Sequence, residues 1–157
     1  MTAPASHRHR ATDVEGYLAT MSELHRRFSR TVPDDLRQQL ERVTTHQCEA
    51  LVFVVKNSPV TMNDVARHFG VSMSTCTALI DRLQRQGLVE RTADPADRRV
   101  VRLVPTESGL DLVERFLSHK MRVARAAISA LTREELDTLL SLIRRMLATD
   151  VPSEELA

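Results

Sequence analysis

A mainly α fold with a small β-hairpin wing is what the sequence predicts: a winged helix-turn-helix accompanied by a further helical region. Three observations predict it. Two short helical patterns meet at a Gly-containing turn within residues 61–87, a strand-turn-strand pattern follows at once over 88–104, and amphipathic helical periodicity occupies both ends of the chain. Composition agrees. The chain has 157 residues, 42% of them apolar, with only four glycines and six prolines, so it can bury a core as one domain or as two small ones sharing it.

Each element has its own local reason. After a tail expected to be disordered over residues 1–12, Val14, Tyr17, Leu18, Met21, Leu24 and Phe28 recur at three- and four-residue intervals and predict an amphipathic helix. Thr31-Val32-Pro33 interrupts it, and a short helix is expected over 34–42. Thr44 is placed to cap a third helix that carries Ala50, Leu51, Val54 and Val55 inward. Thr61 with Asp64 three residues on is a shorter-armed capping box opening MNDVARHF, which Gly70 ends. A new helix starts from Ser72 with Cys76, Leu79, Ile80 and Leu83 on one face, and Gly87 closes it.

LVERT (88–92) and RVVRLV (99–104) flank ADPADR, the natural composition of a β-hairpin. Thr106 then caps a long helix bearing Leu110, Val113, Phe116 and Leu117 toward Ile128. Thr132 with Glu135 forms a capping box for a last helix, whose stripe is Leu136, Leu139, Leu140, Ile143 and Leu147, with Leu131 and Leu136 placed as a hydrophobic staple. The expected organisation is a helical region at 13–32 and 106–149, a winged helix-turn-helix at 33–105, and a C-terminal tail at 150–157.

Charge and cysteine usage narrow the function. The net charge is +1, but residues 61–104 hold Arg67, Arg82, Arg85, Arg91, Arg98, Arg99 and Arg102 against Asp64, Asp81, Glu90, Asp94 and Asp97, so any basic face belongs to the middle of the chain. The N-terminal MTAPASHRHRAT lacks an apolar stretch of the secretory kind, and the longest apolar run, ALVFVV at 50–55, is too short for a bilayer; a cytoplasmic protein that engages no membrane is expected. Cys48 and Cys76 have no metal-like spacing. No metal site and no cofactor are expected, and without a nucleophile-base-acid set or a Gly-rich phosphate loop neither is an enzyme. His7 and His9 lie on the tail and form no convincing metal site.

The segments VTTHQCEAL, TMNDVARHFGVS, LIDRLQRQGLVER, DPADRR, PTESG and LTREEL, in this order, resemble the MarR family of bacterial winged-helix regulators from about Val14 to Leu147. The ordered string GLVERxxDPxDRR followed by TExG is far more specific than a bare helix-turn-helix. The helix from Ser72 then becomes the reader of double-stranded DNA. A 3.6-residue period sends Ser74, Thr77, Ala78, Asp81, Arg82 and Arg85 outward, and Ser72, Ser74, Thr75 and Thr77 are small hydrogen-bonding groups near its N-terminus, the end closest to base edges in the major groove.

In the hairpin, Arg98 and Arg99 sit where the chain turns over, and guanidinium groups on a narrow β-ribbon suit the minor groove. Asp97 is placed to orient a neighbouring guanidinium, Asp94-Pro95 to fix the turn, and Arg102 points either to DNA or to solvent. The alternative is a solvated charge cluster in an ordinary loop. Two positions depart from the family: Ala78 stands where relatives often have an arginine, which puts base specificity in question, and Pro105 replaces a leucine.

The end helices carry apolar stripes that a winged domain of about 50 residues is too small to cover. Their resemblance to the family's dimerisation helices implies a homodimer on a pseudo-palindromic operator. The resemblance also implies a repressor modulated by a small-molecule effector bound between these helices and the winged domain; Tyr17, His25 and His46 are candidate polar groups there, equally at home as ordinary surface. Other readings are a thiol-based redox sensor using Cys48 or Cys76, although thiol-sensing relatives place the reactive cysteine in the first helix, where residues 13–30 have none, or a non-specific architectural DNA-binding protein. With no Trp and one Tyr, base stacking on single strands is disfavoured.

Overall fold

The computed structural model describes residues 10–95, 97 and 100–149. The element order is α1 (Ala11–Arg30), α2 (Asp34–Leu40), α3 (Thr45–Asn57), β1 (Val60–Thr61), α4 (Met62–Phe69), α5 (Met73–Arg85), β2 (Val89–Ala93), β3 (Val101–Pro105), α6 (Glu107–Ile128) and α7 (Arg133–Leu147). Two compact units divide the chain, Met1–Leu117 and Ser118–Ala157, and α6 runs through the boundary.

The first unit is organised by caps that the side chains supply. Thr44 accepts from the Gln47 N–H at 3.3 Å while the Gln47 Oε1 accepts from the Thr44 N–H at 3.1 Å, so two N–H groups at the start of α3 are satisfied reciprocally. Gln47 is thereby carried into the interior, 3% exposed. Thr61 and Asp64 repeat the device on α4, with Asp64 Oδ2 accepting from the Thr61 N–H at 2.9 Å and from its hydroxyl at 2.7 Å. These bonds hold the Asp64 carboxyl below its ordinary value, since both favour the charged form. Gly70 ends α4 at φ +62°, a left-handed conformation that glycine adopts without a Cβ penalty, and lets α5 start within three residues.

The core of this unit lies where α3, α4, α5 and the sheet meet. Leu51, Val54, Val65, Cys76, Ile80, Leu83, Val89 and Leu103 are each at most 1% exposed. Leu79, expected on the same face, is half-buried. The sheet has three strands in the order β1-β3-β2, all antiparallel, with Val60 and Arg91 both opposite Leu103. The two-residue strand β1 adds to the expected hairpin; it is too short to show periodicity. It pairs because the turn after α3 brings Val60, 6% exposed, beside β3.

The start of α6 is fixed on the wing's root. The Thr106 hydroxyl donates to the Gly87 carbonyl at 2.6 Å and accepts from the Gly109 N–H at 3.0 Å, while the Thr106 N–H donates to the Leu88 carbonyl at 3.1 Å. A Cβ on Gly109 would lie 2.1 Å from the Leu88 carbonyl oxygen, so only glycine permits this approach. The inward face of α6 is the expected one at Val113, which is buried, and at the half-buried Phe116 and Leu117, but Leu112 is buried beside it and Leu110 is 45% exposed. The seat at Gly109 sets the helix's rotation, and that rotation turns Leu110 out.

In the second unit the Thr132–Glu135 capping box forms as expected, with Glu135 Oε2 accepting from the Thr132 N–H at 2.8 Å. Neither α7 nor α1 contains a buried residue. Val14, Tyr17, Leu18, Met21 and Leu24 on α1 are 39–56% exposed, and Leu139, Leu140, Leu142, Ile143 and Met146 on α7 are 38–54% exposed.

Candidate nucleic-acid interface

The N-terminus of α5 is built from hydroxyls. Ser72 caps the helix, its Oγ accepting from the Thr75 N–H at 3.2 Å, and the same oxygen lies 2.9 Å from both the Ser74 Oγ and the Thr75 Oγ1. Thr77 donates back to the Met73 carbonyl at 2.8 Å. Ser72, Ser74, Thr75, Thr77 and Ala78 are all exposed, so the chain presents short polar groups and a positive helix end on one open face. The opposite face, Cys76, Ile80 and Leu83, is fully buried and locks this orientation.

Farther along, Arg82 is exposed and forms no ion pair among the described residues. Arg85 donates to the Asp81 carbonyl at 3.3 Å. Asp81, expected to point outward, is half-buried and accepts from Arg91 at 2.6 Å. This bond ties α5 to strand β2. It also neutralises a carboxylate that would otherwise oppose a polyanion beside the helix. Sequence reasoning assigned no such role to Arg91, because a contact between residues ten apart on a helix and a strand leaves no periodic trace.

The root of the wing is held by Asp94. It is 5% exposed, its Oδ1 accepts from the Asp97 N–H at 3.2 Å, and its Oδ2 accepts from the Arg102 Nε. Backbone bonds close the turn: the Asp94 N–H donates to Val100, and the Val100 N–H to the Asp97 carbonyl, both at 2.9 Å. The Asx-type bond expected at Asp94 is present, and Arg102 spends one donor inside the wing. Arg98 and Arg99, the two arginines expected at its tip, lie outside the described residues.

The other sequence candidates separate clearly. Burial pushes the Cys76 thiol above its ordinary value, and the Sγ sits 3.5 Å from the Met62 carbonyl, an environment for an inert thiol rather than a reactive one. Cys48 is half-buried, and neither cysteine is in a disulfide. His25 lines a cavity of about 610 Å³ between α1 and α2, with Arg26, Arg30, Arg37 and Glu41 around it. Tyr17 and His46 do not line it; both are exposed. Among the described residues no group of three His, Cys, Asp or Glu is placed to hold a metal, and no helix is long and apolar enough to cross a membrane.

Comparison with known proteins shows what these features resemble. The model of the MarR family matches residues 43–100, the stretch from the α3 cap to the wing. Over this stretch, a little more than a third of its length, the chain resembles the MarR family. A MarR-like transcriptional regulator from Thermotoga maritima superposes on it with a TM-score of 0.73 at 26% identity, over 89% of this chain and 96% of the other. The uncharacterised HTH-type transcriptional regulator YsmB of Bacillus subtilis is 32% identical over 94 residues, 60% of this chain and 64% of YsmB, so the match spans less than two thirds of that relative. MepR of S. aureus resembles this chain in two solved states. A variant bound to an oligodeoxyribonucleotide has a TM-score of 0.57 at 27% identity, over 85% of this chain and 96% of MepR. MepR bound to ethidium bromide has 0.66 at 25%, over 85% and 94%.

Proposed function

We propose that this chain is a MarR-family protein, a homodimeric, sequence-specific regulator of transcription that binds double-stranded DNA as a repressor and is modulated by a small molecule. The observation that carries the reading is the α5 face: a hydroxyl-rich, exposed helix N-terminus, with Arg82 on the same helix in no ion pair among the described residues, tied by Asp81–Arg91 to the wing beside it. MepR, of like fold, is solved on an oligodeoxyribonucleotide, which supports the DNA partner.

In this reading α5 enters the major groove. Ser72, Ser74, Thr75 and Thr77 meet phosphates and base edges at its N-terminus, and Arg82 meets a phosphate farther along. Arg98 and Arg99 enter the adjacent minor groove, with Asp97 and Arg102 fixing the hairpin that carries them. Without a long side chain at Ala78, base discrimination rests on these short groups and on DNA shape. The exposed apolar faces of α1 and α7 meet their copies in a second chain, giving two reading heads whose half-sites lie about one helical turn apart. The effector cavity is the one lined by His25, and the ethidium complex of MepR supports a small-molecule partner.

The test is a fluorescence-anisotropy titration onto DNA from upstream of the chain's own gene and onto a scrambled duplex. With on the order of 6–10 phosphate contacts, affinity should fall by about 10³–10⁵ between roughly 50 and 200 mM salt, and the upstream site should be preferred at each. Arg98→Ala and Arg99→Ala should each weaken binding by about tenfold or more. Equal affinity for both duplexes would make it an architectural protein, and unchanged arginine variants would reduce the DPADRR hairpin to a plain turn.

A further inference from the structure

A second cavity, of about 560 Å³, opens where the α2–α3 turn, the C-terminal cap of α5 and the first turn of α6 meet. Its apolar lining is Val43, Leu88 and Leu112, of which Leu88 and Leu112 are 8% and 4% exposed. Three charged, exposed residues line the same space, Arg42 before α3 and, on α6, Glu107 and Asp111; of these Arg42 and Glu107 concern the ligand. Arg42 and Glu107 form no ion pair among the described residues. The neighbouring charges are committed: Arg115 donates to Gln39 at 3.1 Å and to Asp111 at 3.5 Å, and pairs with Asp35. Among the described residues one guanidinium and one carboxylate are therefore left without an ion-pair partner, above an apolar floor.

We propose that this cavity binds a small zwitterion of amino-acid size, its carboxylate on Arg42, its ammonium on Glu107 and its apolar body on Leu88 and Leu112. The volume suits such a ligand. A ligand with a single charge can pair with only one of these two exposed groups, whereas one molecule carrying both pairs with each, so the site favours both groups on one molecule. Occupancy reaches the DNA-reading helix directly. Gln86, the C-terminal cap of α5, lines the cavity and its side-chain amide donates to the Arg42 carbonyl, joining α5 to the α2–α3 turn. A ligand seated on Arg42 bears on that bond and hence on the aim of α5.

This regulatory half rests on the DNA-binding reading; the binding half does not. Isothermal titration of the full chain with L-leucine as probe tests the site, beside 4-methylpentanoate, which lacks the ammonium, and 3-methylbutylamine, which lacks the carboxylate. Leucine should bind, each analogue about tenfold or more weaker, and Arg42→Gln and Glu107→Gln should each lose about tenfold with their thermal unfolding unchanged. Absence of binding for leucine, methionine and phenylalanine at about 10 mM, an analogue binding as well as leucine, or undiminished binding by both variants would overturn the proposal. Anisotropy on the upstream duplex with and without leucine reads the coupling: a changed affinity is expected, and an unchanged one with leucine bound overturns the regulatory half. DNA affinity measured without any amino acid reports separately on the function proposed above.

Discussion

Helices α5 and α7 obey the same local rules and end in different circumstances. Both are amphipathic, and both start from a hydroxyl cap, Ser72 in one and the Thr132–Glu135 box in the other. Yet the apolar face of α5 is closed by its own chain, with Cys76, Ile80 and Leu83 at 0% exposure, while Leu139, Leu140, Leu142 and Ile143 of α7 remain 38–48% exposed. Periodicity says that a face is to be covered. What covers it is a property of the assembly, and for α7 the proposed cover is a second copy of the chain.

Substitutions on the two faces should therefore differ in kind. The largest effect is expected from Leu83→Ala, which opens a cavity in a closed core and should cost about 2–5 kcal/mol in chemical denaturation, with the loss independent of protein concentration. Next is Leu140→Asp. It should leave the circular dichroism of the winged-helix elements intact but convert the protein to monomer by sedimentation velocity, because it puts a charge in the seam and removes the burial of a side chain 38% exposed in the single chain, about 1 kcal/mol, and it should abolish the rise of melting temperature with concentration. A Leu140→Asp protein that still sediments as a dimer would place the interface elsewhere.

The smallest expected effect concerns the caps, where the two regions should behave alike. The carboxyls of Asp64 and Glu135 are both held below their ordinary values, by the side-chain and backbone groups of Thr61 and of Thr132. A carboxyl lowered in the folded state contributes stability that is fully present above its unfolded value and lost as pH falls through the folded one. Native protein should thus lose melting temperature on acidification below about pH 4, and Asp64→Asn should flatten that slope. An identical slope in the variant would remove Asp64 from the acid response.

These contrasts also explain what the sequence displays. Caps at Thr44, Thr61, Ser72 and Thr132 are legible because each needs only a hydroxyl and a partner three residues on, or the hydroxyl alone. The buried faces of α3 and α5 are legible because apolar spacing follows the helical period. Strand β1 is too short for any pattern, and the rotation of α6 depends on Gly109 meeting Leu88, a contact between segments. In the candidate site, the order and exposure of Ser72, Ser74, Thr75 and Thr77 follow from local spacing. The Asp81–Arg91 and Asp94–Arg102 pairs do not, because each joins residues that only the folded wing brings together.

The most direct measurement is the mass of the protein–DNA complex, by native mass spectrometry on the upstream duplex, for native protein and Leu140→Asp. Two chains per duplex for the native protein, and loss of that complex in the variant at the same concentration, are the expected result. One chain per duplex, bound as tightly by the variant as by the native protein, would contradict the account: the exposed faces of α1 and α7 would then have no part in presenting two α5 helices to DNA.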